Sequence, residues 1–274
     1  MNDTDELMTR YLALLDEGYN EQVYQSFIET NTQLVPRDFV QNHGVHLYLV
    51  LRKLGFGADF KSDFFFLSKS SDDWNAVFIE IEEPTSRFFK DGGHDYHPDF
   101  VHALQQISSW RAWLSIEGNL QAFVNQLITI RVPATMQRNP TYPKFVLVFG
   151  RRAEYAESEL RRSRIRAEER EDFKIITFDS LAEGLSSKRE LWLGVRRAEF
   201  TDLQNEEVVD NNLFIWADPH MLTVSEGLYE KLEAVVAKNT PSPFGTTGRG
   251  HLMGNFYPDA LKVRVRRRTA AGAR

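Results

Sequence analysis

The order of apolar patterns along this 274-residue chain predicts an α/β protein, a mixed sheet flanked by helices, with additional strands and a helix towards the carboxyl end. Three observations carry that prediction. The runs SDFFFLS (62–68) and NAVFIEIE (75–82) flank a polar turn and read as neighbouring strands. KFVLVFG (144–150) and FKIITF (173–178) are continuous apolar runs, suited to strands covered on both faces. Segments with helical spacing alternate with them.

In chain order, Leu7, Met8, Tyr11, Leu12 and Leu15 recur at helical spacing, a break falls near Gly18, and Val23, Phe27 and Ile28 resume the pattern until Pro36. VHLYLVL (45–51) reads as a strand or short buried segment, and the Gly-rich, charged stretch 86–97 as a loop. A helix opens at Pro98, a favoured first-turn proline, and runs to about Gly118. Phe100, Leu104, Ile107, Arg111 and Leu114 share one of its faces, with Ala103, Gln106, Trp110 and Trp113 beside them. The charged segment 153–170 is a further helix. Beyond residue 190, LWLGVRR (191–197) and NLFIWADP (212–219) suggest strands, and 222–238 a helix. Residues 239–256 are rich in Gly, Pro, Ser and Thr and read as a loop before a basic tail. The expected division is a domain over 1–190 and a carboxyl-terminal extension over 191–274.

Composition narrows the function classes. Hydrophobic residues at 42% and charged residues at 26% suit a globular protein. The absence of Cys excludes disulfides, thiolate metal sites and a Cys nucleophile, and fits a reducing compartment. The polar start MNDTDELMTR lacks an apolar stretch like that of a secretory signal, and no run approaches the ~20 residues that span a bilayer. The expectation is a cytoplasmic protein with no membrane partner. A net charge of −6 argues against nucleic-acid binding over the whole surface but leaves room for local basic faces.

The chemistry-bearing residues centre on three carboxylates. Asp63 begins one strand, while Glu80 and Glu82, two apart on the next, project to one face. If the strands pair as a hairpin, these acids converge at one edge of the sheet, where hard oxygen ligands suit Mg²⁺ or Mn²⁺. Unrelated acids on a solvated strand end would produce the same pattern. His94, His97 and His102 have spacing compatible with Zn²⁺ or a proton shuttle, and equally with a polar loop and helix start; His43 and His46 lack a third ligand nearby. Trp110 and Trp113 suit base stacking or, more simply, a helix core. GTTGRG (245–250) lacks the spacing and Lys of a phosphate loop. Arg151 and Arg152 follow a buried strand, where ligands of open sheets tend to bind. Arg161, Arg162, Arg164 and Arg166 are flanked by Glu157, Glu159, Glu168 and Glu169, as on a solvated helix laced with ion pairs. Lys262, Arg264, Arg266 and Arg268 form a basic face if extended.

The ordered pieces KSDFFFL, WNAVFIEIEEP, HPDFVHALQQISSWRAWL, KFVLVFGRR and FKIITFDSL resemble the Shedu family of bacterial anti-phage proteins, over roughly residues 20–190. The resemblance implies a core of the PD-(D/E)XK nuclease superfamily, hence a restriction-endonuclease-like sheet and metal-dependent hydrolysis of DNA phosphodiesters. Asp63 matches the metal-binding acid, Glu80 the second acid, Gln106 the helix glutamine that orients the site, and Glu29 the acid supplied by the opening helix. Glu82 stands where the superfamily usually carries Lys, whose charge would stabilise the attacking hydroxide or the phosphorane. Lys61 and Lys90 are substitute cations within reach, or simply solvated surface lysines, and with Arg151 and Arg152 they are the expected DNA contacts. The resemblance thus implies Mg²⁺ or Mn²⁺ as cofactor and DNA as partner; the long helices suggest a homo-oligomer. A rival reading keeps the fold with a disabled site that binds DNA ends or a partner protein without cleavage.

Overall fold

Phe64 and Phe66 pack on one side of their strand and Phe65 and Leu67 on the other, and this period-two alternation divides the protein's interior into two cores separated by one sheet. The computed structural model describes residues 3–57, 60–210, 212–238 and 260–266. The loop expected over 239–256, with GTTGRG, and Arg268 of the basic tail lie outside the described residues.

The nine described strands are β1 (Val45–Phe56), β2 (Phe60–Lys69), β3 (Trp74–Ile81), β4 (Thr141–Val148), β5 (Phe173–Ile176), β6 (Trp192–Arg197), β7 (Phe200–Leu203), β8 (Leu222–Ser225) and β9 (Arg264–Arg266). They form one mixed sheet in the order β5-β4-β3-β2-β1-β6-β7-β8-β9. β1, β2 and β3 make an antiparallel meander; β4 and β5 continue it in parallel beyond β3, and β6 adds in parallel to β1. The strands after residue 190 therefore extend the same sheet.

Helices α1 (Asp3–Leu15) and α2 (Glu21–Thr30) cover one face, burying Tyr11, Leu15, Tyr24 and Ile28 against Phe64, Phe66, Val77 and Ile79. Asn20 caps α2 by accepting from the Val23 N–H at 3.3 Å. On the other face α3 (Pro98–Leu114) and α4 (Glu117–Gln126) bury Phe100, Ala103, Ile107, Trp110 and Phe123 over an aromatic cluster in which Phe78 stacks on Phe145 at 5.6 Å. Trp110 is fully buried and Trp113 packs against Phe56, so both are core residues. The helix expected to end near Gly118 ends at Leu114, and α4 follows as a separate helix.

Several later elements differ from expectation. α5 (Glu159–Glu168) is shorter than the charged run that predicts it, and a short helix α6 (Phe178–Leu181) follows β5. NLFIWADP contains not a strand but the helix α7 (Asn212–Trp216). A brief apolar run does not distinguish strand from buried helix; here Phe214 meets the Trp192 ring edge-on at 5.7 Å. The segment 222–238 splits into β8 and α8 (Glu226–Lys238). β7, too short and polar to show a pattern, pairs back on β6.

Two backbone features shape the end of the sheet described next. Five steps along β1, from Val45 to Val50, span two along β2, from Ser68 to Phe66, a bulge accommodated by positive φ at Leu47 and Tyr48. Gly150, at φ +53°, has no room for a side chain: a Cβ there would lie 2.7 Å from the Ser86 carbonyl oxygen. This close approach holds the loop after β3 against the end of β4. No helix among the described residues is long and apolar enough to cross a membrane.

Candidate active site

The pairing of Phe64 with Ile79 places Asp63 and Glu80 beside each other, one step further along β2 and β3. Asp63 is buried, and its two oxygens are held from three directions. Oδ2 accepts the Ile81 N–H at 2.8 Å; Oδ1 accepts from Gln25 Nε2 of α2 at 3.0 Å and from Lys53 Nζ of β1. Arg52 lies opposite Phe64 and Leu54 opposite Ser62, so Lys53 falls across from Asp63. Its backbone takes φ +47°, unusual for a residue inside a strand. Such strain, on the order of 1–3 kcal/mol, is often retained where a side chain must be aimed.

Gln106 Nε2 of α3 donates to Glu80 Oε1. The other oxygen of Glu80, Oε2, is buried with no hydrogen-bond partner. Burial raises the Glu80 pKa well above the ordinary carboxylate value, and Asp63 and Glu82 add repulsion that the Gln106 bond and Lys53 offset in part. Glu82 is pushed up to about 7, first by burial and then by Glu21, Asp63, Asp99 and Glu83. Glu21, in the first turn of α2, lies 3.9 Å from Lys53 and is also raised by burial and by Asp63. The sheet end thus gathers more carboxylates than cations.

The other expected residues are placed as follows. Glu29 of α2 pairs with Arg52 at 2.7 Å on the flank of the site; burial raises its pKa, with Arg52 and Lys53 opposing. Among the described ion pairs the lysine that meets Asp63 is Lys53, not Lys61 or Lys90, both of which are exposed. Arg151 is bound by Asp179 at 2.9 Å and Asp16 at 3.0 Å, and Arg152 by Glu183 and Ser180. His97 caps α3, accepting from the Asp99 N–H at 3.4 Å, while His94 and His102 are exposed. His46 is buried against Trp74 with Nε2 3.0 Å from the Ile130 carbonyl oxygen, and burial lowers its pKa to about 3. No group of three or more His, Asp or Glu side chains among the described residues stands in metal-holding geometry. Asp63 is turned to Lys53 and Gln25, and Glu80 to Gln106.

Sequence reasoning missed Lys53, Gln25 and Glu21. A signal for them exists: Glu21, Gln25 and Glu29 repeat at four-residue intervals along one stripe of α2. The pair Arg52–Lys53 closes the apolar run of β1 opposite the start of β2.

Asp63, buried as the fourth residue of β2, and the half-buried Glu80 near the end of β3, flanked by a helix glutamine and a lysine, define an α/β protein with an acidic site on its sheet. The family model described as "Shedu protein SduA, C-terminal" matches residues 18–182, and the chain belongs to that family. The match contains every residue of the site from Glu21 to Gln106, and membership points to anti-phage defence. No curated protein matches the chain.

Proposed function

We propose that the chain is a divalent-metal-dependent nuclease of PD-(D/E)XK type that hydrolyses DNA phosphodiesters in anti-phage defence. The observation that carries this reading is the Glu80 carboxylate: repelled by Asp63, and with its Oε2 buried and unpartnered. A buried carboxylate in that condition is costly unless a cation meets it. The donor set also fits, since Asp63 and Glu80 offer the hard oxygens that Mg²⁺ or Mn²⁺ prefers. When bound there, the ion would supply Lewis-acid polarisation of the phosphodiester.

The chain's own residues supply the remaining roles. Gln106 orients Glu80 through Oε1. Lys53, held on Asp63, brings the positive charge that Glu82 cannot, close to where phosphorane charge would develop. Glu82, with a pKa of about 7, is poised to take a proton from the attacking water near neutral pH. Glu29 keeps Arg52 fixed beside Lys53. Lys61 and Lys90, exposed, suit phosphate contacts, whereas the pairing of Arg151 and Arg152 with acids favours structural roles for them.

The test is cleavage of supercoiled, linear and single-stranded DNA over a range of Mg²⁺ and Mn²⁺ concentrations, by the parent chain and by Asp63→Ala, alongside calorimetric titration of metal. Metal-dependent cleavage lost in Asp63→Ala supports the reading. Equal inertness of both proteins on all substrates ends it, and metal and DNA binding without turnover transfers the site to the binding-module reading.

A further inference from the structure

At the amino-terminal end of β1, on the face covered by α1 and α2, lies a cleft of about 380 Å³. It is lined by three cationic side chains, Arg37, Lys188 and Arg189, and by Tyr48, Val45 and Leu191. Lys188 and Arg189 lie beyond the family match.

The cations are held by neutral groups more than by acids. Arg37 Nη2 donates to the carbonyl oxygens of Thr32 at 3.2 Å and Arg189 at 3.0 Å, while Nη1 is buried without a partner. Lys188 Nζ donates to the Leu181 carbonyl oxygen at 3.1 Å. Arg189 lies over the Tyr48 ring at 5.3 Å and donates to its hydroxyl at 3.2 Å. The neighbouring carboxylates are Asp38 and Glu183, which act on Lys188, and Asp210, 3.6 Å from Arg189. Burial lowers Arg37 to about 10 and also lowers Lys188, with Arg37 adding repulsion. Carbonyl oxygens satisfy donor directions but not charge. A phosphate group satisfies both, through charge-assisted and bidentate contacts to guanidinium.

We propose that this cleft binds a phosphorylated small molecule of nucleotide size, with its phosphate on Arg37, Lys188 and Arg189 and its apolar part against Val45, Leu191 and the Tyr48 ring. The volume lies within the ~300–1,000 Å³ typical of small-molecule pockets. The bulge at Leu47 and Tyr48 shapes one wall, on the same strand that carries Lys53 towards Asp63. A ligand seated here therefore touches the strand that serves the carboxylate site without touching the carboxylates.

The experiment is calorimetry and thermal unfolding of the full chain in EDTA, which prevents metal-bridged binding at the acids, with pyrophosphate, AMP, ATP and adenosine as probes. Expected are saturable binding and a raised melting temperature with phosphorylated probes, none with adenosine, and at least about tenfold weaker binding in Lys188→Gln and in Arg189→Gln. Pyrophosphate alone binding as well as ATP would identify the ligand as an inorganic phosphate and remove the nucleotide part of the proposal. Arg37→Lys serves as a third variant, with circular dichroism reporting its fold, because Arg37 also ties two chain segments together. The proposal is overturned if no probe binds saturably, if the substitutions at 188 and 189 leave binding unchanged, or if Asp63→Ala abolishes it.

Discussion

Two charged clusters stand side by side at the carboxyl ends of β3 and β4, joined where the Gly150 N–H donates to the Glu83 carbonyl oxygen at 3.3 Å, and they are built on opposite accounts of charge. Around Arg151 every strong group is matched. Its guanidinium donates to Asp179, Asp16 and the Leu15 carbonyl oxygen, and the second Asp179 oxygen accepts the Arg152 N–H at 2.7 Å. Around Asp63 and Glu80 the acids outnumber Lys53, and one carboxylate oxygen is left buried without a partner. The first cluster fastens α1, the loop after β4 and α6 together. The second stores electrostatic repulsion that folding alone gives no reason to keep. Sites that work on charged ligands are where such local frustration concentrates.

The sharpest way to break this contrast is Asp63→Ala. If the acidic cluster serves chemistry, cleavage should fall by at least ~10³-fold, about 4 kcal/mol of barrier, while the fold persists. A protein that cuts DNA normally without Asp63 would make the acidic cluster as structural as the other. Lys53→Met should act differently from Asp63→Ala: turnover falls by about 10²-fold, yet metal binds at least as tightly because a competing cation has left the carboxylates. Parallel loss of metal affinity and turnover in Lys53→Met would mean that the lysine merely holds Asp63 in place.

Glu80→Gln tests the stored repulsion without any assay of function. Because the folded-state pKa of Glu80 is raised, its ionisation disfavours the native state: relative stability is full below the ordinary carboxylate pKa and is lost as pH rises through the folded value. In metal-free buffer at pH 8, Glu80→Gln should therefore be more stable than the parent by on the order of 1–2 kcal/mol, with the gap closing towards pH 4. Addition of Mg²⁺ should stabilise the parent more than the variant. Chemical denaturation at the two pH values measures both effects, and an unchanged or reduced stability at pH 8 contradicts the account.

The acidic end was legible in sequence because period-two alternation names both the strands and the face of each side chain. SDFFFLS and NAVFIEIE set Asp63 and Glu80 side by side on neighbouring strands, although β2 begins at Phe60 rather than at Asp63, and the long apolar repeat from Pro98 brings Gln106 to the same place. Lys53 was not legible, for a physical reason. It sits at a positive-φ position of a bulged strand, where alternation no longer says which way a side chain points, and its partner is ten residues away across a hairpin. Arg151 shows the opposite case: its place after a buried strand suits a ligand site, while the acids that pair with it come from the turn after α1 and from α6, remote in sequence. Beyond residue 190 the strands are short, so NLFIWADP and 222–238 carried too few periods to separate helix from strand.

The balanced cluster has its own probe, Asp179→Ala. Asp179 is mostly buried and accepts both from Arg151 Nε at 2.9 Å and from the Arg152 N–H at 2.7 Å, so its removal leaves a backbone donor and half a guanidinium to be rehydrated. The expected cost is about 1–2 kcal/mol, a drop of a few degrees in melting temperature for a chain of this size. Arg151 keeps Asp16 and the Leu15 carbonyl oxygen, which limits the loss. Because the carboxylate site shares no hydrogen bond with Asp179, metal affinity and the pH dependence of stability attributed to Glu80 should remain unchanged. If Asp179→Ala instead altered metal affinity severalfold, the two clusters would be one coupled network, and the matched charges around Arg151 would belong to the machinery of the site.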